Sequence, residues 1–222
     1  MPILRSVEVR VLPGKRQQWR QSVREIKSIV DNHGAALRVL QLQFGGHPGT
    51  ALVSSLAEDW ETLAARTQAI NADASYQAFL AKAEQAPGAP YAEPVETRLA
   101  NDITSELGAV STPLENAQVI QVLSMRILPG RRAKMLEFVR QMREAREAGK
   151  LQPANLMQLV AGDPNVMFVV WGYADINAWA KDRAAGQPKG ALDVQKHAES
   201  DPKFPYSETI SMRVYSDITK AL

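Results

Sequence analysis

Hydrophobic and polar residues alternate near the start of the chain, and the same pattern returns 116 residues later. In "SVEVRVL" the residues Val7, Val9 and Val11 alternate with polar ones, and a period of two is typical of a strand with one buried face. Between Lys15 and His33 the apolar residues recur every three or four positions, as one face of an amphipathic helix requires. "VRVLPGKRQQW" returns as "MRILPGRRAKM", so the pattern predicts a strand and a helix twice.

The rest of each half contains a hairpin, a second helix and a last strand. Two short apolar runs flank a turn in "LRVLQLQFGGHPGTALVSSLA", and "NLMQLVAGDPNVMFVVWGYA" repeats that arrangement. Asp59 and Asp175 each precede a helical pattern and are suited to cap its N-terminus. Alternation in "PVETRLA" and "ETISMRVY" predicts the closing strands. The predicted order is therefore strand, helix, strand, strand, helix, strand, twice.

This order predicts an α+β fold made of two fused ferredoxin-like (βαββαβ) repeats. Each repeat has an antiparallel sheet with both helices on one face, so we expect the two open faces to meet as a pseudo-dimeric α+β barrel. The first repeat is predicted over residues 1–103, a linker over 104–117 and the second repeat over 118–222. Because one chain supplies both halves, we expect a monomer, and further homodimerisation through exposed strand edges is an alternative.

Composition and charge narrow the function classes. The 222 residues include 26 basic and 24 acidic side chains, a formal net charge of +2, which gives no strong field to attract nucleic acid. Cysteine is absent, and this excludes disulfides and thiolate chemistry. No segment approaches the ~20 apolar residues that span a bilayer, and the N-terminus lacks the apolar run of a signal peptide. We therefore expect a cytoplasmic protein without membrane insertion.

Two stretches carry a resemblance to a known superfamily. "VRVLPGKRQQWRQSV", followed by a hairpin and then by "DWETLAARTQAINADASYQAFLAKA", resembles NIPSNAP-like and antibiotic-biosynthesis-monooxygenase-like (ABM-like) members of the dimeric α+β barrel superfamily. The likeness covers both halves, although the counterpart of "ADASYQAFLAKA" is shortened to "SDPKF" at Ser200. That superfamily includes cofactor-independent monooxygenases, haem-handling enzymes, isomerases and ligand-binding modules. The resemblance therefore implies a small-molecule cavity and does not choose a reaction.

Strand alternation predicts charged residues on the sheet faces opposite the helices. In the first half Glu8 and Arg10 lie on this face of the first strand, and Arg98 lies on the same face of the last strand. The matching arginines of the second half are Arg126 and Arg213. Buried arginines need partners, which the acids of the first half can supply as ion pairs. The alternative is recognition of an anionic ligand by the guanidinium fork.

The second half favours the anion alternative more than the first half does. Ser124 and Ser211 occupy positions that carry glutamates in the first half, so Arg126 and Arg213 have fewer evident internal partners. We expect the two guanidinium groups to converge near Tyr215 and to set a preference for an anionic ligand.

Aromatic residues also distinguish the halves. Three positions are aromatic in the second half and small in the first: Trp171, Tyr173 and Tyr215 against Ser55, Ala57 and Ala100. The asymmetry predicts an accessible pocket on one side and a packed plug on the other, and the aromatic residues are interpreted either as packing or as the walls of a ligand pocket. Both interpretations place a cavity near these side chains.

The three histidines do not form a metal-binding pattern. His33 ends a predicted helix, His47 lies in a hairpin turn, and His197 has only Asp201 four residues away, whereas a metal site needs a third ligand. The chain also lacks the G-x-S-x-G, H-E-x-x-H and Walker motifs, which argues against hydrolase and nucleotide-binding functions. We predict no metal and no cofactor, with haem binding as a distant alternative.

The predicted function is that of a small-molecule-binding α+β barrel protein of NIPSNAP-like type. The alternative is a cofactor-independent monooxygenase or isomerase for a small aromatic or anionic substrate, with Arg126, Arg213, Tyr215 and Trp171 around it. No side chain is an evident general base, so no catalytic residue is assigned.

Overall fold

A computed structural model describes all residues, 1–222, as eight β-strands and six α-helices. The chain divides into two compact units, which are Met1–Ala100 with Asp217–Leu222, and Asn101–Ser216. None of the helices combines the length and the apolar character needed to cross a membrane.

The first unit follows the predicted order of elements. Its elements are β1 (Ile3–Val11), α1 (Arg16–Asn32), β2 (Arg38–Phe44), β3 (Thr50–Ala57), α2 (Trp60–Ala72), α3 (Ala74–Gln85) and β4 (Ala92–Asp102), whose last residues fall in the second unit. β3 lies between β1 and β2 and runs antiparallel to both.

The second unit repeats this order. Its elements are β5 (Val119–Ile127), α4 (Arg132–Ala148), β6 (Asn155–Leu159), β7 (Val166–Tyr173), α5 (Ile176–Ala185), α6 (Lys189–Glu199) and β8 (Ser207–Asp217), whose last residue falls in the first unit. Antiparallel pairing gives the order β8, β5, β7, β6. The bounds of β1, α1 and β3 return at β5, α4 and β7 after 116 residues. The mixed α+β class and the element order are confirmed, and the two fused ferredoxin-like repeats with facing sheets stay a prediction.

Alternation along β1 separates an apolar face from a polar one. Val9 and Val11 pack with Trp19 and Val23 of α1, so the valine face meets the helix, as a period of two predicts. Glu8 lies on the opposite face and is only 4% exposed. In the second unit the corresponding helix-side core is larger and joins residues of β5, α4, β6 and β7 in one buried cluster.

Two aspartates cap the helices that follow the hairpins, as predicted. The Asp59 carboxylate accepts a hydrogen bond from the Thr62 N–H at 2.7 Å, and Asp175 accepts one from the Ala178 N–H at 2.7 Å. These bonds satisfy backbone donors that the first helical turn leaves without partners.

Each unit also contains a helix that the sequence pattern did not separate. Asp73 ends α2 and caps α3, because its carboxylate accepts from the N–H groups of Ser75 and Tyr76 at 2.6 and 3.3 Å. In the second unit Gly186 adopts φ +68° at the end of α5, and α6 follows. The counterpart of α3 is therefore α6, and the expected shortened counterpart "SDPKF" at Ser200 is wrong. Neither α2 nor α3 has a buried residue, so this helix layer is thinly packed.

The segment predicted as a linker packs on the second unit. Thr104 is fully buried, and its hydroxyl accepts a hydrogen bond from the Leu156 N–H at 2.9 Å. Thr112 and Asn155 exchange two hydrogen bonds at 2.7 and 2.8 Å. The domain limits 1–103, 104–117 and 118–222 stay predictions.

Candidate functional site

The register of β8 places two predicted site residues on the sheet face away from the helices. Tyr215 lies opposite Ile120 of β5 and Arg213 opposite Val122, and partners directly opposite share a face. Tyr215 is 1% exposed, and Arg213 Nη1 donates to its hydroxyl at 3.5 Å. The two side chains are therefore neighbours within the second unit.

Arg126 does not join them. Arg126 lies opposite Glu208 of β8, whereas Arg213 lies opposite Val122 of β5. Val122 and Arg126 are four residues apart on β5, which is roughly 13 Å at the rise of a β-strand. The Arg126 side chain is 52% exposed and its Nε donates to Asp163 at 3.0 Å. The expected convergence of Arg126 and Arg213 near Tyr215 is wrong, because the turn after β6 supplies a surface carboxylate for Arg126.

Trp171 and Tyr173 face the helices and not the face that carries Tyr215. Tyr173 Oη donates to Asp182 of α5 at 2.6 Å, and Trp171 packs on the buried cluster that includes Met135 of α4. The three aromatic side chains therefore do not enclose one cavity, and the interpretation as aromatic walls is wrong. Burial of Tyr173 and its bond to Asp182 raise the pKa of the phenol to about 12.

The charged residues of the first unit form an internal ion pair. Arg98 Nη2 lies 3.3 Å from the nearly buried Glu8 carboxylate and also contacts Glu96. Arg10 is exposed, lies opposite Thr50 of β3 and makes no ion pair. The ion-pair interpretation of this group therefore fits Glu8 and Arg98 and does not include Arg10.

A partly open cleft of about 230 Å³ lies in the first unit, between the helix side of the sheet and the helices. β1 and β3 form its floor and α1 and α2 its walls. Most of the lining is apolar, including Val7, Ile26, Val30, Val53, Leu63 and Ile70, and the polar lining side chains include Arg5, Ser55, Arg66, Asn71 and Tyr76.

The cleft of the first unit lies at positions whose counterparts in the second unit carry large side chains. Counted with the offset of 116 residues, Ser55, Ala57 and Leu63 correspond to Trp171, Tyr173 and Trp179. Trp179 Nε1 donates to Gln121 at 2.8 Å on the helix side of the second unit. On the helix side of the second unit Trp171, Tyr173 and Trp179 therefore form an aromatic plug, and the cleft lies at the matching smaller residues of the first unit. Tyr215 lies on the other face of its sheet and takes no part in this plug.

A buried ion pair completes the plug. Arg146 and Asp182 are 5% and 6% exposed, and Arg146 Nη2 reaches both carboxylate oxygens at 3.0 and 2.8 Å. At the matching positions the first unit has Val30 and Arg66. At these two positions the cleft therefore has one arginine and no acid, whereas the filled site has an ion pair.

The outer side of α2 has a second, wide open depression of about 710 Å³. Trp60, 45% exposed, lies at its edge, and Leu63, Thr67 and Asn71 line both this depression and the cleft. α2 is thus a thin wall between the cleft and the surface.

The histidines lie outside both cavities. His33 Nε2 lies 2.7 Å from an Asp73 oxygen, and this bond, together with the backbone N–H groups that Asp73 accepts, lowers the pKa of the Asp73 carboxyl. His47 is exposed in the hairpin turn and His197 is exposed on α6. No group of three or more histidine, cysteine, aspartate or glutamate side chains is arranged to hold a metal ion.

No protein-family model and no curated protein matches the sequence, but solved structures match its fold. A "putative monooxygenase" from Lactobacillus acidophilus aligns at a TM-score of 0.58 and 8% identity over 97% of this chain and 92% of that one. A mutant chlorite dismutase from Candidatus Nitrospira defluvii aligns at 0.56 and 7% identity, over 97% and 91%. A heme-binding protein from Thermus thermophilus aligns at 0.54 and 9% identity, over 97% and 90%. At such low identity the likeness establishes a shared fold and no activity.

Proposed function

We propose that this chain is a small-molecule-binding protein of the dimeric α+β barrel superfamily, built from two ferredoxin-like repeats, and that its ligand occupies the cleft of the first unit. The single observation that carries the proposal is the cleft itself, which the second unit fills with aromatic side chains at matching positions. The shared fold supports the superfamily, and the quoted strand and helix motifs support a NIPSNAP-like or ABM-like type. A cytoplasmic monomer is part of the same proposal.

The cleft volume limits the ligand. About 230 Å³ is below the roughly 300 to 1,000 Å³ of sites for drug-sized molecules, and it corresponds to roughly eight waters at about 30 Å³ each. A single aromatic ring or a short aliphatic chain fits. Contact with the apolar lining favours binding by roughly 25 cal/mol for each Å² of apolar ligand surface that is buried.

Binding is favoured over catalysis by the side chains that line the cleft. Its titratable groups are Arg5, Arg66 and Tyr76, and no carboxylate or histidine is among them. General acid–base catalysis most often uses a histidine or a carboxylate. The cofactor-independent monooxygenase or isomerase stays the alternative function, with Tyr76 as its single proton donor.

Haem does not fit these residues. A protein haem site needs an axial ligand such as histidine beside a large apolar slot. His33 is engaged by Asp73, and neither His47 nor His197 lines a cavity. No function is therefore assigned through haem.

Fluorine NMR with para-fluorophenylpropanol, a small uncharged probe, tests the proposal. We expect a bound signal with about millimolar affinity, as the ligand efficiency of a small fragment implies. Ser55→Trp places the side chain of position 171 into the cleft and should abolish that signal, whereas the exposed Ser105→Trp should retain it. A bound signal that survives Ser55→Trp, or no signal from the unaltered protein, would refute the proposed site.

A further inference from the structure

We infer that the ligand carries a carboxylate, held by Arg5 and Arg66 at one end of the cleft, on a short apolar body. The inference rests on the proposed ligand-binding cleft and adds the chemical class of the ligand.

The two arginines reach the same part of β3. Arg5 of β1 lies directly opposite Ser55, and Arg66 Nη1 of α2 donates to the carbonyl of the next residue, Leu56, at 3.2 Å. Both residues line the cleft; Arg5 is exposed to solvent and Arg66 is half-buried, so the anion site lies at the open end of the cleft. Arg5 therefore approaches this segment of β3 from the neighbouring strand, and Arg66 approaches it from the helix.

Neither arginine has a carboxylate partner. No acidic side chain lies within 4.0 Å of Arg5 or Arg66, whereas Arg38 and Arg98 of the same unit are paired with Asp217 and Glu8. The Leu56 carbonyl takes one donor of Arg66, and the remaining donors of both arginines have no protein partner. A guanidinium group offers five N–H donors in a fork that matches a carboxylate.

The matching positions of the second unit include an acid, Asp182, which the first unit lacks. Gln121 corresponds to Arg5, and Asp182 corresponds to Arg66 and is neutralised there by Arg146. The first unit therefore has two arginines, Arg5 and Arg66, where the second unit has a neutral residue and an acid. A bound anion would supply the acidic partner that Asp182 supplies in the second unit, which an uncharged ligand does not do.

Tyr76 supplies a further donor. Its side chain lines the cleft and its hydroxyl makes no hydrogen bond within the protein. A carboxylate accepts several hydrogen bonds, so two guanidinium groups and a phenol can share it. The apolar walls then contact the ring or chain, and the expected class is a short arylalkanoate or fatty acid.

A matched pair of probes tests the charge, namely para-fluorophenylpropionate against para-fluorophenylpropanol, in fluorine NMR titrations of the full chain. We expect the propionate to bind at least tenfold more tightly, because charge-assisted bonds are the stronger ones. Arg5→Met and Arg66→Met should each weaken the propionate at least tenfold and change the propanol less than twofold. Arg24→Met, an exposed arginine of α1, should change neither, and circular dichroism checks that each variant is folded.

The outcomes separate this inference from the proposed site. Equal affinity for the two probes, or unchanged propionate binding in both arginine variants, overturns the carboxylate while Ser55→Trp still tests the cleft. If neither probe binds the unaltered protein, the proposed site fails and the inference fails with it. Tight propionate binding that survives Ser55→Trp places the anion elsewhere and also overturns the inference.

Discussion

Replacing Asp182 by asparagine should destabilise the second unit strongly. Asp182 and Arg146 are almost fully buried, and both carboxylate oxygens accept from Arg146 Nη2 while one also accepts from Tyr173. Asparagine keeps the shape and removes the charge. Arg146 then stays buried as a cation with only neutral acceptors, the Gln152 carbonyl at 3.1 Å and Gln187 Oε1 at 3.2 Å.

The free energy of unfolding should fall by about 3 to 5 kcal/mol, which is the penalty for leaving one member of a buried ion pair without its partner. For a chain of this length such a loss lowers Tm by roughly 6 to 20 °C. Urea unfolding followed by tryptophan fluorescence and circular dichroism measures the free energy of unfolding. The control is Asp163→Asn, which breaks the exposed pair with Arg126 and should cost less than about 1 kcal/mol.

A second variant separates charge from shape. Arg146→Met combined with Asp182→Leu removes both charges, so it should be more stable than Asp182→Asn alone, because apolar residues often replace a buried pair at little cost. If Asp182→Asn costs no more than Asp163→Asn, the two charges are not buried as the structure describes.

Three further predictions concern single side chains. Because burial and the bond to Asp182 raise the pKa of Tyr173 from 10.0 to about 12, the folded protein holds a proton that the unfolded chain loses. The contribution of Tyr173 to stability is complete below pH 10 and is lost as the pH rises to about 12. Tyr173→Phe should remove this loss of stability in urea titrations, and identical pH profiles of the two proteins would contradict the prediction. Asp59→Ala removes the hydrogen bond to Thr62 and should cost about 1 kcal/mol in urea unfolding, while no loss would show that the cap is unimportant. Gly49→Ala should cost roughly 1 to 2 kcal/mol because its φ is +85°, and an unchanged Tm would rule out that backbone conformation.

The elements with one buried face could be predicted from sequence. β1 alternates cleanly, α1 has an apolar stripe, and the aspartates before α2 and α5 are short polar residues suited to cap them. β7 differs, because nearly all of "VMFVVWGY" is buried. A strand buried on both faces has no period of two, so alternation could not assign Trp171 and Tyr173 to a face.

The site was predictable only in part. The contrast of Ser55 and Ala57 with aromatic residues marked these positions, but none of the predicted pocket residues lines the cleft, whose lining comes from elements distant in sequence. Arg5 and Arg66 carry no motif; the comparison of Arg66 with Asp182 at the offset of 116 residues is the one signal that could have found Arg66. The Asp163 partner of Arg126 lies in a turn, where strand alternation gives no information.

The thin helix layer over the cleft has a dynamic consequence. Because α2 and α3 bury no residue, opening them exposes little apolar surface and costs little free energy. Their amide hydrogens should exchange with solvent faster than those of α4, whose buried residues anchor it. Such local opening widens the access of a ligand to the cleft. Once bound between β3 and α2, it would slow exchange across residues 60–85 and leave α4 unchanged.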